Sequence, residues 1–190
     1  MKTRVPVGLS NKHVHLSRKD IDALFGEGYE LKIKKPISQP GQFAAEEFVD
    51  VVGPKGTIKM RVLGPARPHA QIEILASDTF KLGVPKVIRD SWDLDGTPGC
   101  ILRGPKGEVE IDKGVIVASR HIHMTISQAK EYGVKDGDIV KVRVPGERGL
   151  IFENVLIRSN ERCGLEMHID LEEGNAAGCK NGDMLEIIKD

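Results

Sequence analysis

Ser119-Arg120-His121-Ile122-His123-Met124-Thr125 restates, in altered wording, Ser10-Asn11-Lys12-His13-Val14-His15-Leu16-Ser17, and the two stretches hold four of the six histidines. Along an extended strand alternate side chains share a face, so each His-x-His sets two imidazoles side by side, able to grip one metal ion through neutral ring nitrogens. A lone His-x-His is more often an ordinary surface or core feature than a metal site. Here the surroundings are duplicated too. Each pair follows a short apolar run, Val5 to Leu9 or Val115 to Ala118, and precedes a helix start. Ser17 with Asp20 predicts a capping box, Ile21, Leu24 and Phe25 an apolar stripe, and Gly26 a stop; Thr125 with Gln128 and Gly133 repeat the pattern. His13 and His121, His15 and His123, Ser17 and Thr125, Asp20 and Gln128 are all 108 residues apart, which makes this an internal repeat.

Outward from the two pairs, the chain reads as strands separated by turns. Leu31 to Lys35, Phe48 to Val52, Thr57 to Leu63, Ala70 to Leu75, Glu108 to Ile111, Ile139 to Val144 and Met184 to Ile188 are short and apolar-patterned. Between them lie turn signals: Gly53-Pro54-Lys55-Gly56, Gly104-Pro105-Lys106-Gly107, Lys135-Asp136-Gly137-Asp138 and Lys180-Asn181-Gly182-Asp183. Asp93 to Gly99 reads as a surface loop. The expected fold class is therefore mainly β with short helices, arranged as two pseudo-symmetric β-barrels from the internal repeat.

At 190 residues the chain is long enough for one domain or two small ones of about ninety residues. Lys plus Arg and Asp plus Glu are balanced at 28 each, so no global field draws it to nucleic acid or to an anionic membrane, and an anionic ligand must be held locally. Cys100, Cys163 and Cys179 are odd in number and lack Cys-x-x-Cys spacing, which argues for a reducing compartment and not for a disulfide framework. They are read as structural, with thiolate ligand or nucleophile as the other reading. No apolar run is long enough for a membrane-spanning helix, and the N-terminus lacks a signal-peptide core.

A catalytic zinc usually takes three protein ligands, so each pair lacks one. Laying Gly64 to Ile74 over Ser159 to Ile169 matches Arg67 with Arg162 and Glu73 with His168, both at a spacing of 95. The change from 108 to 95 places thirteen extra residues in the first half, a size that loops absorb. The expected ligand sets are His13, His15 and Glu73, and His121, His123 and His168. His69, matched by Gly164, falls outside the pattern and reads as an ordinary polar histidine. Arg67 and Arg162 have a salt-bridge reading, but Pro65 and Pro68 stiffen the loop of Arg67 and favour it as an anion holder.

Four strings carry a further likeness: Val7 to Ser17, Gly64 to Glu73, Val87 to Gly99 (Val-Ile-Arg-Asp-Ser-Trp-Asp-Leu-Asp-Gly-Thr-Pro-Gly) and Ala118 to Met124. In these the chain resembles, over nearly its whole length, the phosphate propanoyltransferase family, the PduL-type phosphotransacylases. The resemblance implies reversible exchange of acyl-coenzyme A (propanoyl or acetyl) plus phosphate with acyl phosphate plus free coenzyme A, using two Zn2+ per chain. It assigns His13, His15 and Glu73 to the zinc that meets the coenzyme's sulfur, and His121, His123 and His168 to the other. Arg67 is implied as the phosphate holder and catalytic residue, and Gly8, Leu9, Ser10, Lys55, Arg61 and Asn175 as coenzyme A contacts. The family also allows part of the first strand to be exchanged between barrels, so the expected domains are residues 1–11 with 120–190, and residues 12–119. Microcompartment members carry an extra N-terminal amphipathic segment; only a few residues precede the first strand here, so the expectation is a cytoplasmic enzyme, with room for a homodimer.

Phosphate is already an anionic nucleophile, and holding both reactants together removes roughly 7 to 11 kcal/mol of barrier, so direct transfer in a ternary complex is expected in place of a covalent acyl-enzyme. Two other readings of the ligand sets stand beside this one. One is a dinuclear zinc hydrolase and the other a non-catalytic zinc-stabilised binding module.

Overall fold

The computed structural model describes residues 2–188. In chain order the elements are β1 (Arg4–Ser10), β2 (His13–Ser17), α1 (Arg18–Phe25), β3 (Ile33–Pro36), β4 (Phe43–Val52), β5 (Thr57–Arg67), β6 (Gln71–Glu73), α2 (Asp78–Leu82), β7 (Ile88–Arg89), β8 (Cys100–Arg103), β9 (Glu108–Ile111), β10 (Val115–Ala118), β11 (His121–Met124), α3 (Ile126–Tyr132), β12 (Ile139–Val144), β13 (Leu150–Ser159), β14 (Glu166–Asp170), α4 (Leu171–Ala177) and β15 (Met184–Ile188). Strand dominates and the four helices are short, which agrees with the fold class read from the repeat. No helix among the described residues is long and apolar enough to cross a membrane.

The chain divides into two compact units, residues 1–11, 38–40 and 119–190 in one, and residues 12–37 and 41–118 in the other. The first is a closed barrel in the order β1, β14, β11, β13, β12, β15, with β15 pairing back to β1. Alternation explains its filling. Ile122 and Met124 of β11 point into a core with Val5, Val7, Val142, Ile157 and Met167, while His121 and His123 occupy the other face of the same strand. The second unit is a curled sheet in the order β7, β10, β6, β2, β5, β4, β8, β9, with β3 added against β4. Val14 and Leu16 of β2 are buried with Val49, Met60, Val62 and Ile72, opposite His13 and His15. Each of these aliphatic side chains contributes about 1.5–3 kcal/mol by leaving water.

The strands that lead into the two histidine pairs are traded. β1 precedes His13 and His15 in sequence, yet it pairs in parallel with β14, in the barrel that carries the other pair. β10 precedes His121 and His123, yet it pairs in parallel with β6, beside the first pair.

Helix α1 starts on the capping box expected of Ser17 and Asp20, and α3 on that of Thr125 and Gln128. A third box, unanticipated, joins Asp170 and Glu173 at the start of α4, so a helix follows the third candidate ligand of the barrel as well. Each such cap is worth about 1 kcal/mol. Both Gly-Pro-Lys-Gly turns dock on the end of a helix: Lys55 N donates to Leu82 O of α2 and Lys106 N to Leu24 O of α1, each at 3.0 Å. A Cβ on Gly53 or Gly104 would lie 2.3 or 2.5 Å from those carbonyl oxygens, so only glycine permits the approach.

The segment expected as a surface loop, Asp93 to Gly99, is only half that. Leu94 and Thr97 are buried, and Thr97 Oγ1 donates to Leu94 O at 2.6 Å and accepts from Gly114 N at 2.9 Å. Just before it, Trp92 holds φ at +81°, a left-handed conformation that costs a bulky residue on the order of 1–3 kcal/mol.

Candidate metal and anion site

The two triads are built by one strand register. On β2, His13 stands opposite Glu73 of the antiparallel neighbour β6, and His15 opposite Gln71. On β11, His121 stands opposite His168 of the antiparallel neighbour β14, and His123 opposite Glu166. The third ligand therefore faces the first histidine in both units, and a residue two positions earlier faces the second. Within each triad the ligand atoms lie within 4.8 Å of one another. The histidine rings meet edge to face, with centroids 4.9 Å apart for His13 and His15 and 4.7 Å for His121 and His123.

The donor chemistry of the first triad suits a borderline-soft divalent ion. His15 is 2% exposed, and its Nδ1 meets no hydrogen-bond partner among the described residues. A buried nitrogen is costly to leave unsatisfied, and a ring so placed, with the Leu63 backbone as a polar neighbour, fits a metal ligand. Burial, then the charges of His13 and Arg67, hold the His15 pKa well below its ordinary value, so the ring is neutral and keeps a nitrogen lone pair to offer. Glu73 Oε2 lies 3.3 Å from His13 Nε2. Its other oxygen accepts from Gln71 Nε2 at 2.6 Å.

In the second triad, His121 Nδ1 sits 2.8 Å from Ser119 O, which fixes the proton on that nitrogen and turns Nε2 toward His123 Nε2 at 3.1 Å. His168 Nε2 lies 2.6 Å from Glu166 Oε2, and Ser38 donates its hydroxyl to the same carboxylate. Burial works to raise the Glu166 pKa, but the hydrogen bonds from His168 and Ser38 outweigh it and the group ends below its ordinary value. Glu166 thus orients His168 as Gln71 orients Glu73. Cys163 Sγ lies 3.6 Å from His123 Nδ1, a contact absent from the sequence reading.

Gly8 of β1 stands in register with His168, and a Cβ on it would come 2.6 Å from the Glu166 carboxyl. Because that carboxyl ends a flexible side chain, Gly8→Ala is expected to fold with a denaturation midpoint close to the native one. Metal affinity at the candidate triad of His121, His123 and His168 is expected to fall about tenfold, as displaced outer hydrogen bonds do elsewhere. Competition with a chelator measures this, and unchanged affinity would show that Glu166 relocates without consequence.

Arg67 ends β5, half-buried, with its guanidinium 4.8 Å from the Trp92 ring centroid and its Nη2 donating to Gln42 Oε1 at 3.3 Å. It stands in register with Ser17, two residues beyond His15 on the neighbouring strand β2, so cation and triad share one locality. Arg162, its counterpart in the repeat, is exposed. Of the remaining predicted residues, Leu9 N donates to Asn181 Oδ1 at 2.6 Å and Ser10 Oγ to Ile169 O at 3.5 Å, both in the barrel. Asn175 is exposed on α4. Arg61 lies on β5 opposite His13, donating to Ala45 O at 2.5 Å with its guanidinium 4.2 Å from the Phe48 ring centroid. Lys55 is exposed and lines a groove of about 490 Å3 with Phe80, Val84 and Lys86. Cys100 and Cys179 are buried in the two cores; burial pushes the Cys100 thiol up to about 12, which leaves it no nucleophilic role at neutral pH.

Residues 6–180 match the family model described as phosphate propanoyltransferase. Proteins of that name similar to the chain include one from Thermotoga maritima, 56% identical over 96% of this chain and 88% of the relative. Another, from Rhodopseudomonas palustris, is 53% identical over 98% of this chain and 83% of its own. A third, from Listeria monocytogenes, is 44% identical over 100% of this chain and 89% of its own.

Proposed function

The chain belongs to the phosphate propanoyltransferase family and is a transferase, and on that footing we propose that it exchanges the acyl group of propanoyl- or acetyl-coenzyme A with phosphate, giving acyl phosphate and free coenzyme A. The proposal includes two zinc ions per chain, one on His13, His15 and Glu73 and one on His121, His123 and His168. The observation that carries it is the register that sets Arg67 of β5 opposite Ser17 of β2, two residues beyond His15, a cation beside a set of candidate metal ligands. That pairing suits a reaction with one anionic reactant and one sulfur leaving group.

Zinc bound there supplies a Lewis acid soft enough to accept a thiolate. Arg67 holds phosphate through the planar fork of its guanidinium, which pairs two oxygens at once and leaves a third to attack. Glu73 brings a negative charge that the all-histidine triad lacks, so the two sites differ in how tightly they hold a cation. Both reactants are held together, and transfer is direct in a ternary complex with no acyl-enzyme. Gly8, Leu9, Ser10, Lys55, Arg61 and Asn175 are the proposed coenzyme contacts. The strand exchange of β1 and β10 supports the proposed domains, residues 1–11 with 120–190 and residues 12–119. A cytoplasmic location is proposed as well, with Cys100, Cys163 and Cys179 all free thiols.

The test is release of coenzyme A from propanoyl- and acetyl-coenzyme A, with and without phosphate and with a chelator. Release is expected to require phosphate and to stop when metal is stripped. Release with water alone would point to a zinc hydrolase, and no release with metal bound would point to a binding module. Accumulation of acylated protein without phosphate would overturn direct transfer.

A further inference from the structure

Neither Gln71 nor Trp92 is a candidate metal ligand, anion holder or coenzyme contact, yet both touch the machinery of the first triad. Gln71 is fully buried, at 0% exposure, and uses both ends of its amide. Nε2 donates to Glu73 Oε1 at 2.6 Å, and Oε1 accepts from the backbone N of Trp92 at 3.0 Å. The accepted N–H belongs to the residue held at φ +81°, and the ring it carries is the face on which the Arg67 guanidinium rests, 4.8 Å from the centroid. A left-handed backbone at a tryptophan persists only where neighbours over-determine it. The buried amide is such a neighbour.

We propose that Gln71 and Trp92 are positioning residues that tie the Glu73 carboxylate to the platform of Arg67, so that the metal ligand and the anion holder are set by one side chain. The inference rests on the function proposed above for Glu73 and Arg67. An amide has one donor and one acceptor end, so the Gln71 bond to Glu73 fixes which end is left for Trp92. Glutamate at this position would oppose Glu73, and leucine would serve neither partner. The equivalent barrel position holds Glu166, suited to an imidazole N–H in place of a carboxylate.

Trp92 is the only tryptophan in the chain, so fluorescence excited at the red edge, where Tyr29 and Tyr132 do not absorb, reports on this ring alone. The experiment uses the full-length protein, native and as Gln71→Leu, Trp92→Gly and Trp92→Phe, with metal-stripped samples of the native chain and of Gln71→Leu. Zinc added to the stripped native protein is expected to shift Trp92 emission, and this response is expected to vanish in Gln71→Leu and in a Glu73→Ala control. Trp92→Gly keeps the backbone donor and suits the positive φ while removing the ring. It is expected to raise the phosphate KM by roughly 3- to 30-fold through loss of the cation–π contact, with kcat within about twofold and zinc content unchanged. Trp92→Phe is expected to recover most of that loss. Gln71→Leu is expected to weaken zinc at this triad by roughly 10- to 100-fold and to raise the phosphate KM as well.

A zinc-induced emission shift that survives Gln71→Leu, or an unaltered phosphate KM in Trp92→Gly, would overturn the inference. If Gln71→Leu does not fold, Trp92→Gly with Trp92→Phe decides it. If the native protein shows no phosphate-dependent release, the proposed function fails, whereas zinc binding and Trp92 emission still judge the tie itself.

Discussion

Arg67→Ala is expected to raise the phosphate concentration needed for half-maximal rate by roughly 10- to 150-fold, the worth of about 1.5–3 kcal/mol for hydrogen bonds to a charged group. Zinc content is expected to stay as in the native chain, since no proposed metal ligand is altered. Arg67→Lys keeps the charge but not the fork, and should recover part of the loss in KM. Steady-state kinetics over phosphate concentration, paired with metal analysis of the same samples, checks both halves. Loss of zinc in Arg67→Ala would make Arg67 a structural residue, with its contacts to Gln42 and Trp92 as the reason.

Glu73→Ala is expected to lower bound zinc from the proposed two equivalents to about one per chain and the rate by on the order of 10³-fold, several kcal/mol of Lewis-acid stabilisation. The carboxylate removed is largely buried against His13, with 14% of its side chain exposed, so no water-exposed group replaces it. The remaining equivalent should track the all-histidine triad and leave in a His168→Ala background. Metal analysis after dialysis measures the count. Glu73→His, which copies the barrel's ligand set, is expected to restore the second equivalent. Two equivalents in Glu73→Ala would remove Glu73 from the metal site.

Period and repeat made both triads legible. His-x-His fixes two ligands on one face, and the spacing of 95 found Glu73 and His168, which the structure sets at identical register positions opposite His13 and His121. Gln71 and Glu166 were within reach of the same logic. They lie two residues before the third ligand, hence on its face of the strand, and align with each other in the repeat. What hid them is that one is an amide and the other an acid, each matched to the ligand it orients. Trp92 was not legible, because its role depends on a backbone dihedral and on a loop brought to β5 from 25 residues away. Cys163 and Ser38 reach the barrel triad through tertiary contacts with no sequence period. The helices α1 and α3 were readable from their caps. α2 is five residues long and has no side-chain cap, so nothing local announced it.

The traded strands also set a timetable for biosynthesis. β1 is made before every other described strand, but its partners β14 and β15 begin at Glu166 and Met184. That edge must therefore wait for its native partners until β14 and β15 have been made, and such long-range pairing closes slowly. Pro6 near its middle and Arg4 at its start blunt that waiting edge against pairing with another chain.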